Sequence, residues 1–152
     1  MEAVPHLWSM KYRSLIILLA LTPLSWGYTF DDGTKFKGGV ASYIFLECKI
    51  RKTNNFYPLN DAELRYRKFY SVSVEKKRGY SVDAQTKGWK TLYATIEDNE
   101  IAFTDNLIYV PTITLNRTTL EIDEYRRNLS CEITDHKVID AWLTKIRAER
   151  RI

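Results

Sequence analysis

Histidine and cysteine are scarce in this sequence, and their scarcity excludes several kinds of site. The chain has two residues of each type, and after the first 27 residues His136 is the only histidine left. A zinc site of the usual spacing needs more ligands than these, so we predict no metal site. A phosphate-binding loop, a dinucleotide-binding fingerprint and a glycine–serine nucleophile elbow are missing as well. We therefore predict no cofactor and assign no catalytic residue.

Long apolar runs are also few, and the longest one lies near the N-terminus. Residues 15–21 form an unbroken apolar run, with Lys11 and Arg13 before it and Pro23 after it. Proline ends such a run because it removes a backbone donor and clashes with the preceding helical turn. A basic start followed by a short apolar core is typical of a secretory signal peptide. We therefore predict export, to the periplasm or to the extracellular space.

The boundaries of this leader follow from side-chain size and charge. The small residues Ser25 and Gly27 favour cleavage between Gly27 and Tyr28. Residues 1–9 contain an acid and a proline but no lysine or arginine, so we expect Met10 to be the true start or residues 1–9 to be dispensable. Counted from Leu15 to Leu24, the apolar core is about half the length of roughly 20 residues that a membrane-spanning helix needs, which disfavours a stable anchor. The alternative is an uncleaved leader that tethers the domain to a membrane.

A large excess of charge of one sign is absent too. The chain has 23 basic and 19 acidic side chains. Loss of the leader removes Lys11, Arg13 and Glu2, which leaves 21 basic and 18 acidic side chains. So small a net positive charge predicts a solvated surface of mixed sign and no specific nucleic-acid partner.

The two cysteines, Cys48 and Cys131, both lie in the exported part of the chain. Exported proteins meet oxidising conditions, so an even pair predicts one disulfide. Alternating apolar residues around each cysteine put both side chains on the core face of a strand. Two separate buried thiols are the alternative, because a bridge also requires that the two Cα atoms lie close together.

Alternation of apolar and polar residues dominates from Val40 onward and predicts strands. Short strands joined by compact turns are typical of an antiparallel β-sandwich or a partly open barrel. We therefore predict a mainly β fold in a single domain over residues 28–152. Residues 53–67 are interpreted as a loop with one helical turn, and residues 75–88 as a polar connection. The strands are predicted at 41–50, 69–75, 89–97, 100–104, 107–110, 112–116, 119–123 and 128–133.

The last segment changes to a helical period. Asp135 is a suitable N-cap for a helix over residues 136–150, and Ile139, Leu143 and Ile146 repeat at helical spacing. We expect this stripe to pack on the sheet, with a groove on a partner protein as the alternative.

Three arginines, Arg147, Arg150 and Arg151, gather at the end of the predicted helix. Contact with an anionic surface such as lipid headgroups is one role for them. We favour a second role, in which they complement the negative end of the helix and remain solvated. Contact with a membrane is therefore expected to be minor.

Aromatic residues offer the best candidates for a binding surface. Trp89 and Tyr93 share one face of a predicted strand, opposite its aliphatic face. Exposed rings present apolar area with a polar group and suit sugars or proteins, and ring packing between strands is the alternative. The carboxylates are scattered, and we expect Glu121 and Asp123 to face solvent because Ile122 alternates inward between them.

Residues 113–122, "ITLNRTTLEI", resemble a closing segment of small uncharacterised exported proteins of bacteria and phages. Those proteins carry leucine, a polar residue, arginine, any residue, threonine and glycine before another strand. Four residues match this pattern, namely Leu115, Asn116, Arg117 and Thr119. Leu120 replaces the turn glycine. The resemblance implies a small β domain behind a signal peptide and implies no activity.

Together these observations favour an exported, non-enzymatic β domain that binds a protein or an envelope component. A hydrolase whose carboxylates or tyrosines converge in the folded state is the enzymatic alternative. A third hypothesis is an accessory protein held at the membrane by an uncleaved leader. The candidate binding residues are Trp89, Tyr93, Arg147, Arg150 and Arg151.

Overall fold

The computed structural model of the chain describes residues 27–53, 57–104, 113–124 and 127–149. Within these ranges the chain forms eight strands and two α-helices. The strands are β1 (Ile44–Thr53), β2 (Arg67–Ser73), β3 (Arg78–Asp83), β4 (Lys90–Glu97), β5 (Glu100–Thr104), β6 (Ile113–Asn116), β7 (Glu121–Glu124) and β8 (Arg127–Thr134). The helices are α1 (Asp61–Arg65) and α2 (His136–Ala148), and a 3-10 turn at Val40–Ser42 precedes β1.

The sheet closes on itself. Each strand pairs in antiparallel fashion with the next one along the chain, and β8 pairs with β1. The prediction of a mainly β fold is confirmed, whereas the prediction of a sandwich or a partly open barrel is wrong. Closure pairs the first strand with the last, and it removes the two exposed edges that an open sheet would carry.

Side chains that alternate with outward-facing ones fill the barrel interior. Tyr70 and Phe103 are the largest of them near the centre; each is 0% exposed, and their rings stack with centroids 5.7 Å apart. An eight-stranded barrel is just wide enough for its interior to be filled in this way. The other buried interior residues are Leu46, Cys48, Val72, Leu92, Ala94, Ile101, Leu115, Ile122, Leu129 and Cys131.

A second apolar cluster lies outside the barrel, between the sheet and α2. Ile139 and Leu143 of α2 are fully buried there, so the apolar stripe of the helix packs on the sheet as expected. The N-terminal segment adds Phe30 and Phe36, and the outer faces of β1 to β3 supply the rest. The remaining buried members are Val40, Tyr43, Phe45, Phe69, Tyr80 and Val82.

Polar contacts fasten the N-terminal segment to α2. Asp140 accepts hydrogen bonds from the Tyr28 hydroxyl and, at 2.9 Å, from the backbone N–H of Asp31. The Arg147 Nε lies 3.1 Å from a carboxylate oxygen of Asp31. The Tyr28 ring packs edge-on against His136 with centroids 4.6 Å apart. The segment that follows the predicted leader is thus an integral part of the fold.

Strand β3 corrects the interpretation of residues 75–88 as a polar connection. Its Tyr80 and Val82 face outward into the layer beneath α2, so Gly79 and the other alternate positions face the barrel interior. A Cβ on Gly79 would lie 2.7 Å from Cε1 of Phe103, so no larger residue fits beside that ring. The positions of this strand that face the interior are not apolar, so the stretch resembles a polar loop in sequence.

Both predicted helices are present. The helical turn expected within residues 53–67 is α1, where the side chains of Asn60 and Glu63 each accept the backbone N–H of the other in a capping box. The helix expected over residues 136–150 is α2, and Asp135 caps it by accepting the backbone N–H of Lys137 at 2.8 Å. The leader and the strand predicted at 107–110 lie outside the described residues.

Candidate functional site

The outer face of β5 to β8, together with the end of β1, carries a polar groove with a volume of about 580 Å³. Sites for small ligands typically enclose about 300–1,000 Å³. The groove lies apart from the outer face of β1 to β3 that α2 covers. The described side chains that line it are Arg51, Lys52, Glu100, Thr114, Asn116, Glu121, Asp123 and Asn128.

Strand alternation and register bring these polar side chains together. Ile122 points into the barrel, so Asp123 after it points outward, where Thr114 of β6 is its partner. Asn128 pairs with Asp123 from the other side, and Lys52 of β1 pairs with Asn128. Paired residues on one face lie within about 5.5 Å of each other at Cβ, so these side chains form one row across the strands.

Charges of both signs share the groove. Arg51 donates to a carboxylate oxygen of Glu121, and Glu121 and Asp123 both point outward, as the alternation predicts. Within the part of the chain that the structure describes, the side chains of Lys52, Glu100 and Asp123 have no hydrogen-bond or ion-pair partner. They are exposed and accessible to a ligand.

The turn between β6 and β7 forms one end of the groove and is held by Asn116. The Asn116 Oδ1 accepts the backbone N–H groups of Thr118 at 2.9 Å and Thr119 at 3.0 Å, and it accepts Nδ2 of Asn99 at 3.3 Å. Leu120 then adopts a φ of 57°, in the left-handed region that favours glycine. In the predicted resemblance of residues 113–122, this is the position of the turn glycine.

A buried ionic cluster lies inside the barrel at the end where β7 leads into β8. The side chain of Glu124 is 8% exposed and accepts from Lys68 Nζ at 2.9 Å, from the Tyr70 hydroxyl at 2.5 Å and from Arg127 Nε at 2.6 Å. Arg127 also donates to the Tyr66 hydroxyl at 2.6 Å and lies 4.1 Å from the centre of that ring. Two cations therefore surround one carboxylate.

The protonation states follow from this geometry. Burial raises the pKa of Glu124, but the charge of Lys68 and the hydrogen bonds from Lys68, Tyr70 and Arg127 outweigh it and hold that pKa below its usual value. Burial, and then the charge of Glu124, raise the pKa of Tyr70 well above its usual value. Glu124 is thus ionised and Tyr70 protonated at neutral pH. Because both carboxylate oxygens already have partners, the cluster stabilises this end of the barrel and is poorly placed for proton transfer to a substrate.

One member of this cluster could have been recognised from local alternation. Alternation in β2 already places Lys68 on the same face as Tyr70, and a lysine at an inward position needs a buried partner. The partners come from β7 and β8, more than 50 residues further along the chain, and no local pattern identifies them.

The two predicted aromatic binding residues have different surroundings. Trp89 packs in the outer cluster, with its ring 5.2 Å from Phe30 and 5.0 Å from Phe36, and its backbone N–H donates to Asp32 at 2.7 Å. Tyr93 is 44% exposed on the outer face of β4. Neither residue is among those that line the groove, and a binding role for either stays a prediction.

The predicted basic residues of the C-terminal segment are only partly described. Arg147 pairs with Asp31 and also donates to the carbonyl oxygen of Lys87 at 3.1 Å, so it connects α2 to two other segments. Arg150 and Arg151 lie outside the described residues. Contact of these three arginines with a ligand stays a prediction.

The predicted cysteine pair lies in the barrel interior, with its sulfur atoms 2.05 Å apart, the distance of a disulfide. In the four described ranges, no group of three or more His, Cys, Asp or Glu side chains is arranged to hold a metal ion. No helix in those ranges is long and apolar enough to cross a lipid bilayer.

Comparison with known proteins returned no relative: no protein family, no curated protein and no solved structure matches the chain. The resemblance of residues 113–122 to exported bacterial and phage proteins therefore stays a prediction.

Proposed function

We propose that this protein is an exported, non-enzymatic binding domain whose ligand occupies the polar groove on the outer face of β5 to β8. The ligand class that suits the groove is an uncharged, hydroxyl-rich molecule such as a glycan of the cell envelope. The observation that carries the proposal is the convergence of donors and acceptors from neighbouring strands on one outer surface of a closed barrel.

Hydrogen-bonding capacity supports this ligand class. A sugar hydroxyl both donates and accepts, and the amide of Asn128 and the hydroxyl of Thr114 do the same. Asp123 supplies acceptors and Lys52 supplies donors. Both the hydrogen and the oxygen of a sugar hydroxyl therefore have a partner. Three carboxylates line the groove and repel an anionic ligand. Two cationic side chains also line the groove, and they disfavour a cationic ligand.

The packed interior favours an external site over an internal one. Tyr70 and Phe103 occupy the middle of the barrel and are fully buried, so the described interior offers little room for an apolar ligand. The position of the groove side chains on strands also favours binding. Because the hydrogen-bonded sheet holds their backbone in place, less conformational entropy is lost when a ligand binds.

The hydrolase alternative has weaker support. General acid–base catalysis by carboxyl groups uses a pair whose pKa values are driven apart, one of them upward. Two carboxylates are buried among the described residues. Glu124 has a pKa below its usual value and three bound partners, and Asp83 accepts the backbone N–H groups of Gln85 and Thr86 within its own turn.

Export remains the proposed location. The leader over residues 10–27 is the main support, and a cysteine pair at disulfide distance is in keeping with an oxidising compartment. Retention of the leader as a membrane tether is the alternative. N-terminal sequencing of protein recovered from its host distinguishes the two locations. Cleavage before Tyr28 supports release, and a retained leader supports the tether.

Titration of the 15N-labelled protein with neutral and anionic tetrasaccharides tests the proposed ligand class. Chitotetraose and maltotetraose serve as neutral probes, and a heparin tetrasaccharide serves as the anionic probe. We expect a neutral probe to shift the backbone amide signals of β6, β7 and β8. Binding by the heparin probe alone, or shifts confined to other strands, would contradict the proposal.

A matched pair of variants assigns the binding to the groove. Asp123→Ala removes an outward carboxylate within it, and Glu132→Ala removes an exposed outward carboxylate of β8 outside it. Loss of a hydrogen bond to a charged group weakens binding by about tenfold or more. We expect that loss from Asp123→Ala and affinity within twofold of the unmodified protein from Glu132→Ala.

A further inference from the structure

Four side chains with hydroxyl groups lie together on the outer face of β4, β5 and β6. Leu92 and Ala94 of β4 point into the barrel, so the residues that alternate with them point outward. Ile101 and Phe103 set the same alternation in β5. We call the four outward residues the hydroxyl face, and they are Tyr93, Thr95, Thr104 and Thr114.

Strand register makes the hydroxyl face continuous with the polar groove. Thr95 of β4 is paired with Ala102 of β5, and Ala102 is paired with Thr114 of β6. Thr114 is itself one of the residues that line the groove. The row of outward positions that crosses the groove therefore extends without a break to β4. Tyr93 lies two residues from Thr95 on the same face, and its ring is 44% exposed.

The hydroxyl face is uncharged, and its hydrogen-bonding groups are available to a ligand. Among the described residues, none of its four hydroxyls has a hydrogen-bond partner. The charged outward residues of β4 and β5 are Glu97 and Glu100, which are paired with each other at one end of these strands. Arg78 of β3 is paired with Tyr93 on the opposite side and marks the edge of the uncharged surface.

These groups suit an uncharged sugar. An aromatic ring packs against the apolar C–H face of a pyranose, and threonine hydroxyls donate to and accept from the hydroxyls at its edge. Ala102 carries only a methyl group, so the row stays open between Thr95 and Thr114. A glycan held in the groove can therefore continue over β5 to Tyr93.

The distance between the groove and Tyr93 sets the length of such a glycan. Thr95 and Asn128 occupy the same row, on β4 and β8, with three strands between them. Four strand spacings amount to about 19 Å along the sheet, which an extended chain of about four pyranose residues spans. A disaccharide can contact the groove or Tyr93, but it cannot contact both.

We propose that the groove and the hydroxyl face form one elongated site for a linear, uncharged oligosaccharide of about four or more residues. Asp123 and Asn128 bind one end of this chain, and Tyr93 stacks on a sugar near the other end. The inference rests on the proposed function, since it assigns a further subsite to the same ligand. It makes Tyr93 the residue that favours long chains over short ones.

Isothermal titration calorimetry with sugars of increasing length tests the elongated site. The probes are chitobiose, chitotetraose and chitohexaose, with maltose, maltotetraose and maltohexaose as a second series. Tyr93→Ala removes the ring, and Ala102→Gln places a longer side chain in the row between the groove and the ring. Tyr57→Ala is the matched control, because it removes an exposed tyrosine that precedes α1 and lies outside the site.

We expect the tetrasaccharide of one series to bind the unmodified protein about tenfold more tightly than the disaccharide, because stacking on an exposed ring contributes roughly this factor. Tyr93→Ala and Ala102→Gln should each abolish that gain and leave the affinity for the disaccharide within twofold. Tyr57→Ala should keep the gain.

Two results would overturn the elongated site and leave the groove as the binding site. One is equal affinity for the disaccharide and the tetrasaccharide, and the other is a gain with chain length that survives Tyr93→Ala. Failure of chains of every length to bind would overturn the proposed function together with this inference.

Discussion

Cys48 and Cys131 face each other directly across the junction of β1 and β8, with their Cα atoms 4.1 Å apart. The pair therefore lies at the one strand contact that converts an eight-stranded sheet into a closed barrel. The bond joins residues that are 83 positions apart in sequence, and both side chains are buried in the interior.

Reduction of this disulfide should destabilise the protein by about 4 kcal/mol, because the unfolded chain regains the entropy that a loop of this length had lost. The measurement is urea unfolding of the oxidised protein and of the reduced protein, whose thiols are left unmodified, under otherwise equal conditions. Equal midpoints would mean that the strand pairing closes the barrel without help from the bond.

Replacement of Glu124 by glutamine should destabilise the protein by about 3–5 kcal/mol at pH 7, because it leaves Lys68 and Arg127 without their buried counter-charge. The measurement is the free energy of unfolding from denaturant titration. Asp123→Asn is the matched control, since it removes a neighbouring carboxylate of β7 that faces solvent, and its effect should stay below about 0.5 kcal/mol.

The same carboxylate makes stability depend on pH. The pKa of Glu124 is lower in the folded state than its usual value, so its contribution is present at pH values above the usual carboxyl pKa. The contribution is lost as the pH falls below about 4.5 and passes through the lowered pKa of the folded state. The stability difference between the unmodified protein and Glu124→Gln should therefore shrink with acidification. A difference that stays constant down to pH 3 would contradict this assignment.

Two substitutions of Leu120 should separate backbone strain from packing. Leu120→Ala and Leu120→Gly both remove the side chain that packs against the core, but only glycine relieves the left-handed backbone. We expect the glycine variant to be more stable than the alanine variant by about 1 kcal/mol, as measured by thermal unfolding. In an ordinary strand or helix position the order of the two variants would be the reverse.

Replacement of Asp140 by alanine should loosen the N-terminal segment from α2. It removes the acceptor for both the Tyr28 hydroxyl and the backbone N–H of Asp31, at a cost of about 1–2 kcal/mol. Hydrogen exchange at Phe30 and Asp31 should accelerate, while exchange in β5 and β6 stays unchanged. Thr144→Ala, on the same helix but bonded only to a backbone carbonyl, is the control.

Much of the strand pattern could be predicted from the sequence. Alternation placed Leu46, Cys48 and Ile50 on the inner face of β1 and put Asp123 outside, because burial of one face acts on every second residue. The helix α2 was predicted to within two residues of its observed end, since a cap and an apolar stripe are both local features.

Features that depend on distant partners could not be predicted in this way. Closure of the barrel rests on the pairing of β1 with β8, and the burial of Lys68 rests on Glu124 of β7. The strand β3 was missed because Tyr80 and Val82 pack outward against a helix that begins more than 50 residues later. The groove was missed for a related reason, since its side chains come from five strands and only register places them together.

Pairing of the first strand with the last also governs the order in which the chain can fold. Until Arg127 to Thr134 has emerged, β1 keeps one edge unpaired, and neither the cysteine bridge nor the contact between Tyr28 and α2 can form. Contacts between distant parts of a chain form slowly, and an unpaired strand edge invites pairing with other chains. Strands β1 to β7 therefore cannot close into a barrel until β8 has joined them, and the outer cluster is complete only when α2 has packed on the sheet.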